Sequence, residues 1–346
     1  MVTCQMPDGS TIPALCLTAM TGPILVGDRL LLNLEAWRAG LGTGGFALAM
    51  AVERQIGAPA TTMPAKQAPK LVKARYTPCQ VLVDGIDELD QRLGDADSLD
   101  GMVVVAADLH SALPAFVAGA CADGRLPRIA YIMSDAGALP LALSHSVAQL
   151  AQAGLLVTTI TAGQAFGGEL EAVNIYSALL AACHVAAAEI AIVAPGPGNL
   201  GSGSRWGFSG VAAGETINAA SVLGGRPVGL LRISGADPRP RHRGLSHHCV
   251  TALGRVAHYP CDLVFPDLTE LDAPLAAQVD QAAAQLIKPI GIHQRVAVSV
   301  AGLPAALADC PVELSSMGRG LADDPACFLS AAAAGRHASC LASSKQ

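Results

Sequence analysis

The sequence predicts an α/β fold: a mostly parallel sheet with helices on both faces, preceded by a small β-rich N-terminal unit. Three observations predict it. From Gly101 onward, short aliphatic runs recur at 102–107, 129–133, 155–160, 190–194, 228–233 and 263–265. Their starts lie about 25–40 residues apart, which is the length of one strand-plus-helix unit. The runs are continuously apolar rather than alternating, as strands buried on both faces must be.

The elements follow in order. Residues 6–33 hold short apolar runs split by Asp8-Gly9 and Gly27-Asp28, a pattern of short antiparallel strands. A glycine run at Gly40, Gly42, Gly44 and Gly45 opens another apolar stretch, and a Pro- and Ala-rich connector covers 57–69. This divides the chain into a β-rich unit at 1–56, a connector at 57–100 and an α/β domain at 101–346. Within that domain, Val173, Tyr176, Leu180 and Cys183 recur at helical spacing, as do Ile175 and Leu179, and predict a helix following Glu169. Two weaker strand candidates lie at 296–300 and 312–314. A doubly wound open sheet is the first expectation. A closed barrel of eight βα units is the second, because the number of candidate strands allows it.

Composition removes several function classes. Among 346 residues, 51% are hydrophobic and only 14% charged, which rules out intrinsic disorder. Aromatic residues are 3%, so the core is aliphatic. The net charge of −6 and the lack of a long basic run argue against a nucleic-acid partner, which demands phosphate neutralisation. Uncharged stretches at 136–168 and 172–188 are interrupted by Pro, Gly, His and hydroxyl residues and read as buried elements rather than membrane spans. No basic segment followed by an apolar run opens the chain, so no signal peptide is expected. Ten scattered cysteines without a CxxC pair read as reduced thiols of a cytoplasmic protein.

Ligands of parallel α/β folds bind at the carboxyl ends of the strands, and the polar residues of this domain gather there. The first strand is followed by Asp108, His110 and Ser111, and the second by Ser134 and Asp135. Asp108 and His110, two apart in an extended turn, point to one side, as a metal-ligand pair or an acid orienting a base would. Glu171 and Asn174, three apart, are expected on one face of the following helix, with Glu171 as a candidate base. The loop "PGPGNLGSGSRWGFSG" offers Gly196, Gly198, Gly201 and Gly203 as a backbone nest for an anion, with Ser204 and Arg205 as further donors. It matches G-x-G-x-x-G only weakly, since Pro197 sits in the tight turn, and no Gly-Lys-Ser/Thr follows. A long structural loop is the alternative. The segment "ADPRPRHRGLSHH" brings Arg239, Arg241 and Arg243, suited to carboxylate or phosphate, next to His242 and the pair His247–His248. In an extended chain those two imidazoles face opposite ways. His145, His184, His258, His293 and His337 read as structural.

The catalytic candidates are therefore Asp108, His110, Asp135, Glu171, His247 and His248. The anion-holding candidates are Gly196, Gly198, Gly201, Gly203, Ser204, Arg205, Arg241 and Arg243. A divalent metal is assigned to Asp108, His110 and His247.

The segments "VGDRLLLN", "GLGTGGFAL", "LVKARYTP", "LDGMVVVAADLHSALP", "GQAFGGELEAVN", "GPGNLGSGSRWGFSGVAAGE", "SGADPRPRHRGLSHH" and "MGRGLADDP" resemble a bacterial family designated domain of unknown function 3866. The resemblance spans 26–325 and carries no activity with it. From the residues, the expected function is a cytoplasmic hydrolase or lyase acting on a small anionic metabolite. The alternatives are a non-catalytic ligand-binding or regulatory protein using the same cleft, and a structural oligomer. The apolar excess favours a homo-oligomer, with a dimer as the default.

Overall fold

The computed structural model of the chain describes residues 1–40, 44–53, 71–77, 79–267, 269, 272–287 and 291–344. Gly42 and the connector at 57–69 lie outside these residues. Internal contacts divide the chain into two units, Met1–Val83 and Asp84–Gln346.

The first unit is β-rich. Strands β1 (Val2–Gln5), β2 (Thr11–Leu15), β3 (Leu30–Asn33) and β4 (Ala47–Val52) form a mixed sheet in the order β1-β2-β4-β3. β1 and β2 are an antiparallel hairpin turned at Asp8-Gly9, where Ser10 donates from both its backbone and its hydroxyl to Asp8 Oδ1. Ile12, Ala14 and Ala47 form its small core. A separate antiparallel hairpin joins β5 (Leu71–Lys73) to β6 (Val81–Val83), and short helices α1 (Thr18–Thr21) and α2 (Glu35–Arg38) complete the unit.

The second unit is built on an eight-stranded, all-parallel open sheet. Its strands are β7 (Val103–Ala106), β8 (Ile129–Ser134), β9 (Thr158–Thr161), β10 (Leu170–Glu171), β11 (Ile190–Pro195), β12 (Arg226–Leu230), β15 (Asp262–Pro266) and β16 (Gln294–Val298). Two short strands, β13 (Ile233–Ser234) and β14 (Gly244–Leu245), pair outside it, as do β17 (Ser315–Ser316) and β18 (Arg319–Gly320). The helices are α3 (Ile86–Leu89), α4 (Leu113–Cys121), α5 (His145–Gln152), α6 (Ile175–His184), α7 (Ala212–Val222), α8 (His247–Thr251), α9 (Ala273–Ile287), α10 (Leu303–Ala308) and α11 (Pro325–Ser343). The sheet order is β10-β9-β8-β11-β7-β12-β15-β16, an open doubly wound arrangement rather than a barrel.

Alternation along the strands decides which layer each residue joins. Val103, Val105, Ile190, Ile192, Val228 and Val264 face α4, α5, α10 and α11. Val104, Ala130, Ile132, Ala191 and Val193 face α6 and α7. On the same side, Ala106, Leu263 and Phe265 pack against α7, α8 and α9. The uncharged stretches at 136–168 and 172–188 hold α5, β9 and α6, and among the described residues no helix is long and apolar enough to cross a membrane.

Three local expectations are corrected. β10 is a short edge strand where the sequence suggests the start of a helix, so Glu171 does not share a helical face with Asn174. Asn174 is the N-cap of α6, closing a capping box with Ser177. The run at 312–314 is not a strand; the neighbouring β17 begins at Ser315.

Helices α4 and α11 approach closely through glycines. A Cβ at Gly119 would collide with the Ala332 backbone, and one at Gly335 with the Phe116 carbonyl. Gly335→Val is expected to destabilise the protein by about 1–3 kcal/mol through overpacking, read as a lower urea midpoint. An unchanged midpoint would show that the two helices can part without cost.

Candidate functional site

The chain order sets the site. After β7 it enters α4 on one face of the sheet; after the adjacent β11 it enters α7 on the other face. β12, on the other side of β7, leads to α8 on that second face. Loops that part to opposite faces leave a crevice at the carboxyl ends of the strands between them. Here the crevice is a cleft of about 380 Å³, lined by His110 and Ser111 after β7, Gly196, Gly198 and Gly201 after β11, and Arg241, His242 and His248 after β12.

Asp108, two residues past the end of β7, is 3% exposed and lies behind His248 rather than on the crevice wall. Its carbonyl accepts a 2.6 Å hydrogen bond from Asn199 Nδ2, which ties the two loops together. Its carboxylate oxygens have no hydrogen-bond partner, and Oδ2 lies 3.5 Å from His248 Nδ1. A Cβ on Gly210 would come within 3.1 Å of the Asp108 Cβ, so the glycine lets the start of α7 close against the aspartate.

The sequence after β12 carries the imidazoles. β13 and β14 pair as a hairpin, and Ser246 then caps α8 by accepting from the His248 backbone N–H. Consecutive residues of a helix are rotated by about 100° rather than about 180°, so His247 and His248 can approach one point. The three rings of His242, His247 and His248 lie with centroids 4.5–4.9 Å apart, and each offers a nitrogen within 4.8 Å of the others. His242 Nδ1 shares a 2.9 Å hydrogen bond with Ser246 Oγ. His248 stacks on Phe208 with centroids 3.8 Å apart. Burial, reinforced by Arg232, Arg239 and the neighbouring imidazoles, pushes His242 down to about 3. Burial, with the charges of His248 and Arg241, pushes His247 down to about 4. Both are neutral at pH 7, the state in which an imidazole can donate to a metal. The helix continues into a π-helical turn at Ala252–Val256.

His110 lines the crevice but is not free to bind a metal. Nδ1 meets the Tyr131 hydroxyl at 3.0 Å and Nε2 meets Ser144 Oγ at 2.7 Å, and burial lowers it to about 4. Of the expected group Asp108, His110 and His247, the fold brings His247 together with His242 and His248, with Asp108 beside His248 and His110 apart from them. Asp135 is exposed, accepts from the Gln164 backbone at 2.9 Å and lines neither this crevice nor the arginine-rich cleft beside it. Glu171 is buried and holds the loop after β9, accepting 2.6 Å hydrogen bonds from Thr161 Oγ1 and the Gly167 N–H, and it too lies away from both clefts. Among the loop donors, Ser204 Oγ turns inward to Ser202 Oγ and the Gly207 N–H, so it knits the loop instead of facing a ligand.

Arginine is sorted by one carboxylate. Asp237, with a fully buried side chain, accepts from both Nε and Nη2 of Arg239, from Arg232 Nη2 and from Arg319 Nη2. Burial works against its ionisation, but the Arg239 hydrogen bonds and the charges of Arg239 and Arg232 prevail and hold it well below the usual carboxylate range. Arg239, grouped in the sequence with Arg241 and Arg243, is thus held internally. Arg241, Arg243 and Arg205 instead line a second cleft that also contains Gly203 and His247.

The sequence reading missed His242 as a cluster member and Asp237 as the hub. Three histidines within seven residues of a charge-poor chain were the available signal for the first. Asp237 has Arg232 and Arg239 close by in the sequence, but Arg319 reaches it from 82 residues away, which only the fold reveals. Asp237→Asn should lower stability at pH 7 by about 3–5 kcal/mol, since it leaves buried guanidiniums uncompensated. A depressed folded pKa contributes stability above the ordinary carboxylate value and loses it below, so the gap between variant and wild type should narrow as pH falls below about 4. Denaturant titrations at pH 7 and pH 3 check both, and equal midpoints at pH 7 would remove the hub from the stability of the site.

No curated protein and no solved structure matches the chain. Residues 13–335 match the family model described as protein of unknown function (DUF3866), and the chain belongs to that family.

Proposed function

We propose that the protein is a metal-dependent hydrolase acting on a small anionic substrate, with a divalent ion of the zinc class held by His242, His247 and His248. One observation carries this reading. Six buried side-chain polar atoms among the described residues lack a hydrogen-bond partner, and four of them are Asp108 Oδ1, Asp108 Oδ2, His247 Nε2 and His248 Nδ1. Leaving such groups unpaired costs roughly 1–3 kcal/mol each, so their convergence calls for an occupant that accepts lone pairs. Three imidazoles are the protein donor set of a catalytic zinc site, and Ser246 on His242 is the kind of outer partner that orients a ligand ring.

When bound, such an ion lowers the pKa of a water and polarises a phosphoryl or carbonyl oxygen. Asp108 is the base: it takes the proton of the attacking water as the water oxygen bonds to phosphorus or carbon. That proton passes to the leaving oxygen as the ester bond breaks. Arg241, at the edge of the crevice, holds the anionic part of the substrate. Ten free cysteines support a cytoplasmic setting for the reaction, since a reducing compartment keeps thiols unpaired.

Elemental analysis of protein grown with zinc, manganese and iron supplied tests the reading. It should find about one equivalent of divalent metal per chain, lost in His242→Ala and His248→Ala. Asp108→Asn should keep the metal yet slow release of phosphate or alcohol from an ester panel about 10²–10⁴-fold. Protein that binds no metal, and whose melting temperature ignores both chelator and added zinc, would sink it.

A further inference from the structure

A second cleft, of about 730 Å³, adjoins the imidazole cluster. Arg205 from the loop after β11, Arg241 and Arg243 from the hairpin of β13 and β14, and Arg255 from the π-helical turn all line it, and no carboxylate does. Among the described residues, these four guanidiniums make no hydrogen bond or ion pair within the chain. The other arginines of the second unit do. Arg92, Arg125, Arg295 and Arg336 pair with carboxylates, Arg128 and Arg226 bind backbone carbonyls, and Arg232, Arg239 and Arg319 close on Asp237. Free cations scattered over a surface would need no explanation. Here the free ones gather in one concavity of a protein whose net charge is −6.

We infer that this cleft binds a small polyanion carrying at least two phosphate groups. Like charges held together without a counter-ion repel, and a concave wall focuses their field on whatever anion enters. One phosphate is satisfied by one or two guanidinium forks, so four forks match two or more phosphates. The aromatic platform that a nucleic-acid strand would stack on does not line the cleft.

The cleft and the crevice share walls. Arg241 lines both, His247 lines the cleft, and His242 and His248 line the crevice. A substrate with phosphates among the arginines therefore presents its remaining part to the imidazoles, behind which Asp108 lies 3.5 Å from His248. That coupling to chemistry rests on the hydrolase reading; the polyanion site itself does not.

Isothermal titration of the purified full chain with inorganic phosphate, a hexose monophosphate and a hexose bisphosphate tests the inference. The bisphosphate should bind about tenfold or more tighter than either other probe. Arg243→Gln and Arg255→Gln should each weaken it by about tenfold. Gln285→Glu places a carboxylate on the α9 wall of the cleft, at an exposed position that leaves the fold intact, and should abolish binding. These variants should keep their metal content, and His248→Ala, stripped of metal, should keep its affinity for the bisphosphate. The two readings thus fail separately. Equal affinity for mono- and bisphosphate, wild-type affinity in the arginine and Gln285→Glu variants, or tighter binding of a single-stranded oligonucleotide would each overturn the inference.

Discussion

The sheet imposes one constraint from which the rest follows: β7 lies between two strands whose onward helices go to the face opposite its own. Backbone cannot cover the gap this leaves, so side chains and glycine-rich loops must line it. Asp108, two residues past β7, is buried beside that gap, within 3.5 Å of His248. The imidazoles reach it because the chain, leaving β12, folds a short hairpin before starting α8. Asn199, bonded to the Asp108 carbonyl, fixes the remaining wall.

Charge is scarce in this chain, and its distribution divides the site into a sealed part and an open part. Asp237 pairs with Arg232, Arg239 and Arg319, the first two of which line the crevice. That leaves the positive potential of the open part to residues that no internal carboxylate quenches. The imidazoles sit between these regions, desolvated and close to cations, and both effects keep His242 and His247 unprotonated.

Much of this was legible in the residues. The parallel sheet was readable because its strands are buried on both faces and therefore continuously apolar, and the carboxyl-end rule then pointed to Asp108, the glycine loop and the histidine pair. What stayed hidden depended on local geometry or distant partners. His110 has a ligand's chemistry, but Tyr131 and Ser144, brought near by the fold, occupy both of its nitrogens. Glu171 was misplaced because a short edge strand has too few residues to announce a period of two. His247 and His248 diverge if extended and converge on a helix, a difference that adjacent letters do not encode.

The widened turn at Ala252–Val256 sets the orientation of what precedes it. It is anchored from both sides: a Cβ on Gly254 would strike the Leu286 carbonyl, and one on Gly214 the carbonyl of Ala252. A π-turn holds one residue more than the α-helical register needs. Deleting that surplus residue would let the segment rewind and rotate α8 by about a quarter of a revolution. The paired histidines would then swing away from the aspartate although neither had been altered. Alignment of the imidazoles with Asp108 is thus controlled by chain length at a place remote in sequence from β7, and a change there would part them while sparing every histidine.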